Sequence, residues 1–309
     1  MKKNHSEIFI KKSFSFVKAG GSKAIVSFAF LTLLIAGCTK TEEKIITGNK
    51  PPPDHTIPAG LKVNFINKSY ISLLGREPES AEYSAAEDLL AFDNFSETSR
   101  KQLIDDIISK PDFYIREFEL ANDELLNGLD TFEINDIYNT FQYLLTLPDY
   151  EAVWPQLTIE INRLSDLKSA PTNLQNQSIT IRQMHRICAD NYFYDQINMG
   201  SLNFVIATFQ HFLLRNPTAY ESAEGVKIVD GFNGILFLEI GDNKSEFLQL
   251  FFNSSDYYEG QVKLLFSRFL FRSPSSEEAA AYASAYKTSG NYKALVSNIL
   301  STDEYAGLQ

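Results

Sequence analysis

Three arginines stand in one frame. Arg76-Glu77-Pro78, Arg215-Asn216-Pro217 and Arg272-Ser273-Pro274 are each followed by a glutamate six residues after the arginine: Glu82, Glu221 and Glu278. An arginine at a helix end can donate to the free carbonyls there, and a glutamate in the next helix's first turn can accept from it across the bend. Such a pair fixes the angle between two helices. Three copies suit a structural corner better than catalysis, because a domain rarely needs three identical active sites. Other reactive side chains are sparse. Beyond residue 37 the histidines are His55, His185 and His211, and no two have the four-residue spacing of a zinc-binding helix. Cys188 follows Ile187 in an apolar helical pattern and reads as a buried free thiol. Asp242 to Glu246 lacks the alternating oxygen ligands and glycine of a calcium loop and reads as the cap of a helix at Phe247. There is no phosphate loop, dinucleotide fingerprint or nucleophile elbow. No catalytic, cofactor-binding or metal-binding residue is therefore assigned. An active site would have to assemble from scattered residues, and a deep polar pocket holding two carboxylates, or His185 with acids, would mark one.

The elements that position the arginines repeat with them. Six residues before the arginine lie Tyr70, Phe209 and Phe266; three before lie Leu73, Phe212 and Phe269; two before lie Leu74, Leu213 and Leu270. These offsets share one helical face, and the following proline stops that helix or starts the next. Thr218-x-x-Glu221 and Ser275-x-x-Glu278 predict capping boxes. Each unit closes on a run of one spacing, through Leu103-Ile104, Phe247-Leu248 and Leu295-Val296, and then an acid-aromatic stop: Asp112-Phe113, Asp256-Tyr257 and Glu304-Tyr305. A worn fourth copy is placed at Leu144-Leu145-Thr146-Leu147-Pro148, where Thr146 replaces the arginine, ending at Phe193-Tyr194. Ser165 to Ser178 is polar and reads as a loop. Thr158 to Ile161 reads as a short strand, and Ile235 to Ile240 as a strand, hairpin arm or buried helical turn. The expected fold is mainly α, built of repeated modules of helix, Arg-x-Pro corner, helix and closing helix.

Charge is divided along the chain. Residues 1–37 hold six lysines and one acid, Glu7, leaving 22 basic and 38 acidic residues beyond them. So acidic a remainder repels phosphates, which excludes nucleic acid as a partner. The lysine-rich start runs into an apolar stretch from Ala24 to Gly37, too short for a comfortable membrane span, and then Cys38. Leu34-Ile35-Ala36-Gly37-Cys38 resembles the bacterial lipobox. That resemblance implies lipid attachment to the Cys38 thiol and cleavage before it. Thr39 to Lys44 is similar to the Lys-plus-acid signal that directs some lipoproteins to the outer face of the outer membrane, and Pro51-Pro52-Pro53 stiffens the tether behind it.

The Leu73-Leu74-Gly75-Arg76-Glu77-Pro78 start, with Ser109 and Asp112-Phe113 at the end, resembles the helical modules grouped as DUF4214 and, more distantly, the phycobilisome linker domain. The third unit is similar through Arg272, Pro274, Glu278, Ser301 and Glu304-Tyr305. The second departs, with Leu214 for the glycine and Asn253 for the serine. The resemblance implies all-helical modules on secreted or surface proteins with no known chemistry. The expected organisation is a signal peptide over 1–37, a tether over 38–60, module 1 over 61–129, a degenerate module over 130–200, module 2 over 201–259 and module 3 over 260–309. The expected function is that of a lipid-anchored envelope lipoprotein, of the outer membrane with its cell-surface face as one expected location, that binds or scaffolds an envelope protein or glycan without catalysis. The alternative is an envelope hydrolase, or an accessory subunit of a redox or enzyme complex.

Overall fold

Apolar residues three and four apart recur throughout the second part of the chain, and helices form wherever they do. A computed structural model describes residues 58–308. The expected signal peptide over 1–37, the expected lipid-bearing Cys38, His55 and the expected tether through residue 57 lie outside the described residues. What is described is mainly α. It comprises four blocks that share one order of elements.

Block 1 is α1 (Ala59–Leu74), α2 (Ser80–Phe92) and α3 (Glu97–Ile108). Block 2 is α4 (Pro111–Leu126), α5 (Thr131–Leu144), a 3-10 turn (Pro148–Val153), α6 (Trp154–Gln175), α7 (Ile181–Ala189) and α8 (Tyr192–Ile197). Block 3 is α9 (Ser201–Leu213), α10 (Ala219–Val229), a hairpin of β1 (Gly234–Leu236) and β2 (Glu239–Gly241), and α11 (Lys244–Asn253). Block 4 is α12 (Ser255–Leu265), which runs on as a π-helical turn (Phe266–Leu270), then α13 (Ser276–Ser289), α14 (Tyr292–Leu300) and the single turn α15 (Asp303–Ala306). The division drawn at residue 260 falls inside α12, because Asp256-Tyr257 is not a stop. It opens the helix that carries the next arginine.

The antiparallel hairpin pairs Ile235 with Ile240 and Leu236 with Glu239. Its two-residue turn puts Phe237 and Leu238 at φ 52° and 68°, the left-handed pair a tight hairpin requires. Thr158 to Ile161 is helical, not a strand. Ser165 to Ser178 is likewise mostly helix rather than loop, despite Pro171 inside α6. Leu164, Leu167, Ala170 and Leu174 recur at offsets of three and four, and all four are buried. Their core contacts outweigh the hydrogen bond lost at the proline.

Within block 2, α4 packs on α6 and α7, whereas α5 packs chiefly on α6. The left-handed residue that ends the first helix elsewhere (Gly75, Leu214, Phe271) is here Asn127, φ 57°. Leu145 by contrast keeps right-handed helical geometry. The corner of this block therefore lies at Asn127, and α5 is an added helix; Thr146 does not stand where an arginine would.

First helices meet one another: α1 with α4, and α9 with α12. Gly260 makes the second contact possible, since a Cβ there would lie 2.0 Å from the Phe212 carbonyl oxygen. Block 4 returns onto block 1, with α14 against α3. Arg100, only 2% exposed, donates from Nε to Ser301 O at 2.9 Å and from Nη1 to Phe95 O at 2.7 Å, and pairs with Asp303. Lys68 Nζ donates to Tyr305 O at 3.0 Å and lies 3.6 Å from the centre of that ring, which also meets Phe65 edge-on. Among the described residues no helix is long and apolar enough to cross a membrane.

Candidate functional site

The charged corners come first. Arg76 Nη1 and Nη2 donate to Glu82 Oε2 and Oε1 at 2.7 and 3.0 Å, and its Nε donates to Asp112 Oδ2 at 3.1 Å. Arg215 reaches Glu221 at 2.9 and 2.6 Å and Asp256 at 2.7 Å. Arg272 holds Glu278 at 2.8 and 2.7 Å and takes Glu304 bidentately at 2.6 and 2.7 Å. Each guanidinium also donates to the carbonyl of the following residue. Each lies over the aromatic ring six residues back, at 5.9 Å from Tyr70, 5.0 Å from Phe209 and 4.9 Å from Phe266. The glutamates meanwhile close capping boxes, accepting from the backbone N–H of Glu79, Thr218 and Ser275.

The structure thus brings Arg76 to Glu82, Arg215 to Glu221 and Arg272 to Glu278, all at helix corners. It adds a third partner that the sequence reading treated as a stop signal: Asp112, Asp256 or Glu304 from the first turn of the helix after the closing one. Their neighbours Phe113, Tyr257 and Tyr305 are buried. In block 2 the arginine is missing, and Phe193 stands where the acid would be, before buried Tyr194. Bonding to the guanidinium holds Glu82, Glu221 and Glu278 down to about 2, and the same carboxylates push each arginine upward. With their donors engaged this way, the arginines are joints.

A second polar cluster lies where blocks 2, 3 and 4 meet. Glu117 and Glu124 from α4, His185 from α7, His211 from α9, Gln261 from α12 and Arg268 from the π turn line one cavity. Arg268 Nη1 donates to Glu117 Oε1 at 3.3 Å, and the buried Tyr292 hydroxyl donates to Glu117 Oε2 at 3.1 Å. Each imidazole is held from behind by a tyrosine hydroxyl: His185 Nδ1 lies 2.9 Å from Tyr257 Oη, and His211 Nδ1 lies 2.9 Å from Tyr194 Oη. Burial, helped by Arg268, pushes His185 down to about 3; burial alone lowers His211. Both rings are thus neutral near pH 7. Burial raises the Glu124 carboxyl, with Arg268 opposing.

Comparison with protein-family models, with curated proteins and with solved structures gave no match.

The cavity has room of about 10 Å³ for the centre of a water-sized molecule, enough for one water and too little for a substrate. Among the described residues no three His, Cys, Asp or Glu side chains are grouped to hold a metal ion. Cys188 is fully buried, and burial pushes its thiol up to about 12, far from a nucleophile's range. Sequence reading missed Glu117 and Gln261, although both break apolar stripes. Glu117 interrupts Phe113, Ala121 and Leu125 on the inner face of α4, and Gln261 follows Tyr257 by four residues on α12. Arg268 left no such trace, since a π turn sets its direction.

Proposed function

We propose that this protein is a lipid-anchored component of the bacterial cell envelope, held through Cys38, that acts as a non-catalytic binding or scaffold protein for an envelope protein or glycan. The observation that carries the binding role is how Leu214, Leu238 and Phe271 are displayed. All three have left-handed backbones, φ 52°, 68° and 55°, yet carry large apolar side chains. Such a conformation costs a residue with a Cβ about 1–2 kcal/mol relative to glycine. Leu238 is nevertheless 97% exposed and Phe271 84% exposed, so the fold recovers little from them. Apolar side chains held in solvent on strained backbone favour a contact surface over a packing role. Phe237 stacks on Phe209, the ring over which Arg215 lies, so the hairpin tip sits beside the Leu214 corner.

A photo-crosslinking residue placed in turn at 238, at 271 and at exposed Ser84 tests this in intact cells. The expected outcome is a discrete adduct from 238 or 271, none from 84, and loss of both membrane retention and adduct in a Cys38→Ala background. Equal labelling at all three positions would sink the binding surface. Membrane retention of the Cys38→Ala protein would sink the anchor.

One observation favours a second reading, an envelope hydrolase or enzyme accessory. Glu117, Glu124, His185 and His211 share a cavity, as an acid-base site would require. Its size and its neutral, tyrosine-tethered imidazoles weigh against it. Turnover of any ester or glycoside by the full chain that disappears in Glu124→Gln would put this reading ahead.

A further inference from the structure

Gln261 is 1% exposed, and neither its Oε1 nor its Nε2 has a partner within the protein. A buried amide with neither its donor nor its acceptor engaged is costly, so a native fold rarely leaves one so. They belong to a side chain that lines the cavity shared with Glu124, His185, His211 and Arg268. We propose that this cavity is a binding site for one neutral hydroxyl group, belonging either to a water molecule or to a polyol that reaches in from the mouth. The proposal is independent of the surface reading above.

Charge and hydrogen-bond inventory decide the chemistry. Glu117 is spoken for, because Arg268 and Tyr292 both donate to it. The imidazoles are neutral, so the cavity carries no net positive charge that would call for an anion. A bare cation lacks the grouped ligands it needs among the described residues. What remains is the Glu124 carboxyl and an amide with a free donor and a free acceptor, beside imidazoles whose Nδ1 atoms are already engaged. A hydroxyl group both donates and accepts, and so answers such a mixed set where an ion cannot. The room available fits about one oxygen atom with its hydrogens.

Magnetic relaxation dispersion of solvent nuclei on the full chain in detergent counts long-lived internal water. It would be run on the wild type and on Gln261→Met, with and without glycerol as the polyol probe. The wild type should hold one slowly exchanging water more than the variant. If that contribution survives glycerol, water is the occupant; if glycerol removes it and shifts the Gln261 side-chain amide resonance, the polyol hydroxyl is. Equal dispersion in the two proteins, with no cross-relaxation from the wild-type Gln261 amide to water or glycerol, would overturn the proposal. The wild-type amide measurement stands even if the variant fails to fold.

Discussion

At each corner one guanidinium replaces solvent for two carboxylates and a carbonyl, and it does so at three places with nearly the same bond lengths. Exposed ion pairs contribute little, but a bidentate pair that also closes a capping box locks two helices and the start of a third. Removing Arg272 by Arg272→Gln leaves Glu278 and Glu304 facing each other and should lower stability by about 1–3 kcal/mol near pH 7, read as a urea midpoint. The pH dependence has a definite sign. Glu278 titrates at about 2 when folded against an ordinary 4.5, so its contribution is whole above 4.5 and vanishes as pH falls through about 2. The gap between wild type and Arg272→Gln should therefore narrow across that interval; a constant gap would mean that the pairing adds nothing. The Arg-to-Glu link was legible because both residues recur at a fixed spacing. Asp112, Asp256 and Glu304 recur as faithfully, but they lie 36, 41 and 32 residues from their arginines, and no local rule joins positions so far apart.

Helices carried most of the legible signal, since apolar offsets and capping boxes act within a few residues. Where polar residues interrupt the apolar period, a helix resembles a loop or a strand. In α6 the polar residues of Ser165 to Ser178 and Pro171 obscure a stripe of Leu164, Leu167 and Leu174. The Ile159-Glu160-Ile161 alternation imitates a strand in a helix that leaves Ile159 on the outside. Turns with left-handed backbone set backbone strain against side-chain packing. Phe271→Gly should raise stability by about 1 kcal/mol, because it relieves the backbone and uncovers nothing. Phe237→Gly should lower it instead, although the backbone angle is similar, since that ring stacks at 6.0 Å on Phe209 and meets Phe251 at the same distance. Thermal unfolding followed by far-ultraviolet circular dichroism separates the two; a loss in both would mean that Phe271 has a packing role in the fold.

Over the whole molecule, order along the chain and neighbourhood in space part company where block 4 returns: Arg268 and Tyr292 reach Glu117, and a seam joins block 4 to block 1. Lys68 meets Tyr305 across 237 residues and Arg100 meets Ser301 across 201. Nothing in the composition announces Arg100, which beside Lys101 at the polar start of α3 reads as solvated. Replacing it by Arg100→Met leaves the buried Ser301 and Phe95 carbonyls without their donor, while Asp303, 66% exposed, returns to solvent; the change should cost about 1–3 kcal/mol. Hydrogen exchange should then quicken first in α1, α3 and α15; uniform quickening would show that the seam is no weaker than the rest. The same seam sets a schedule for a chain as it is made. Blocks 2 and 3 can gather their own contacts while synthesis continues, but α1 and α3 have no lasting neighbour on that side until residues 292–305 arrive. The earliest described helix is thus among the last to be secured. A nascent chain halted before that point would display Phe65 and Arg100 to whatever chaperone or protease is at hand.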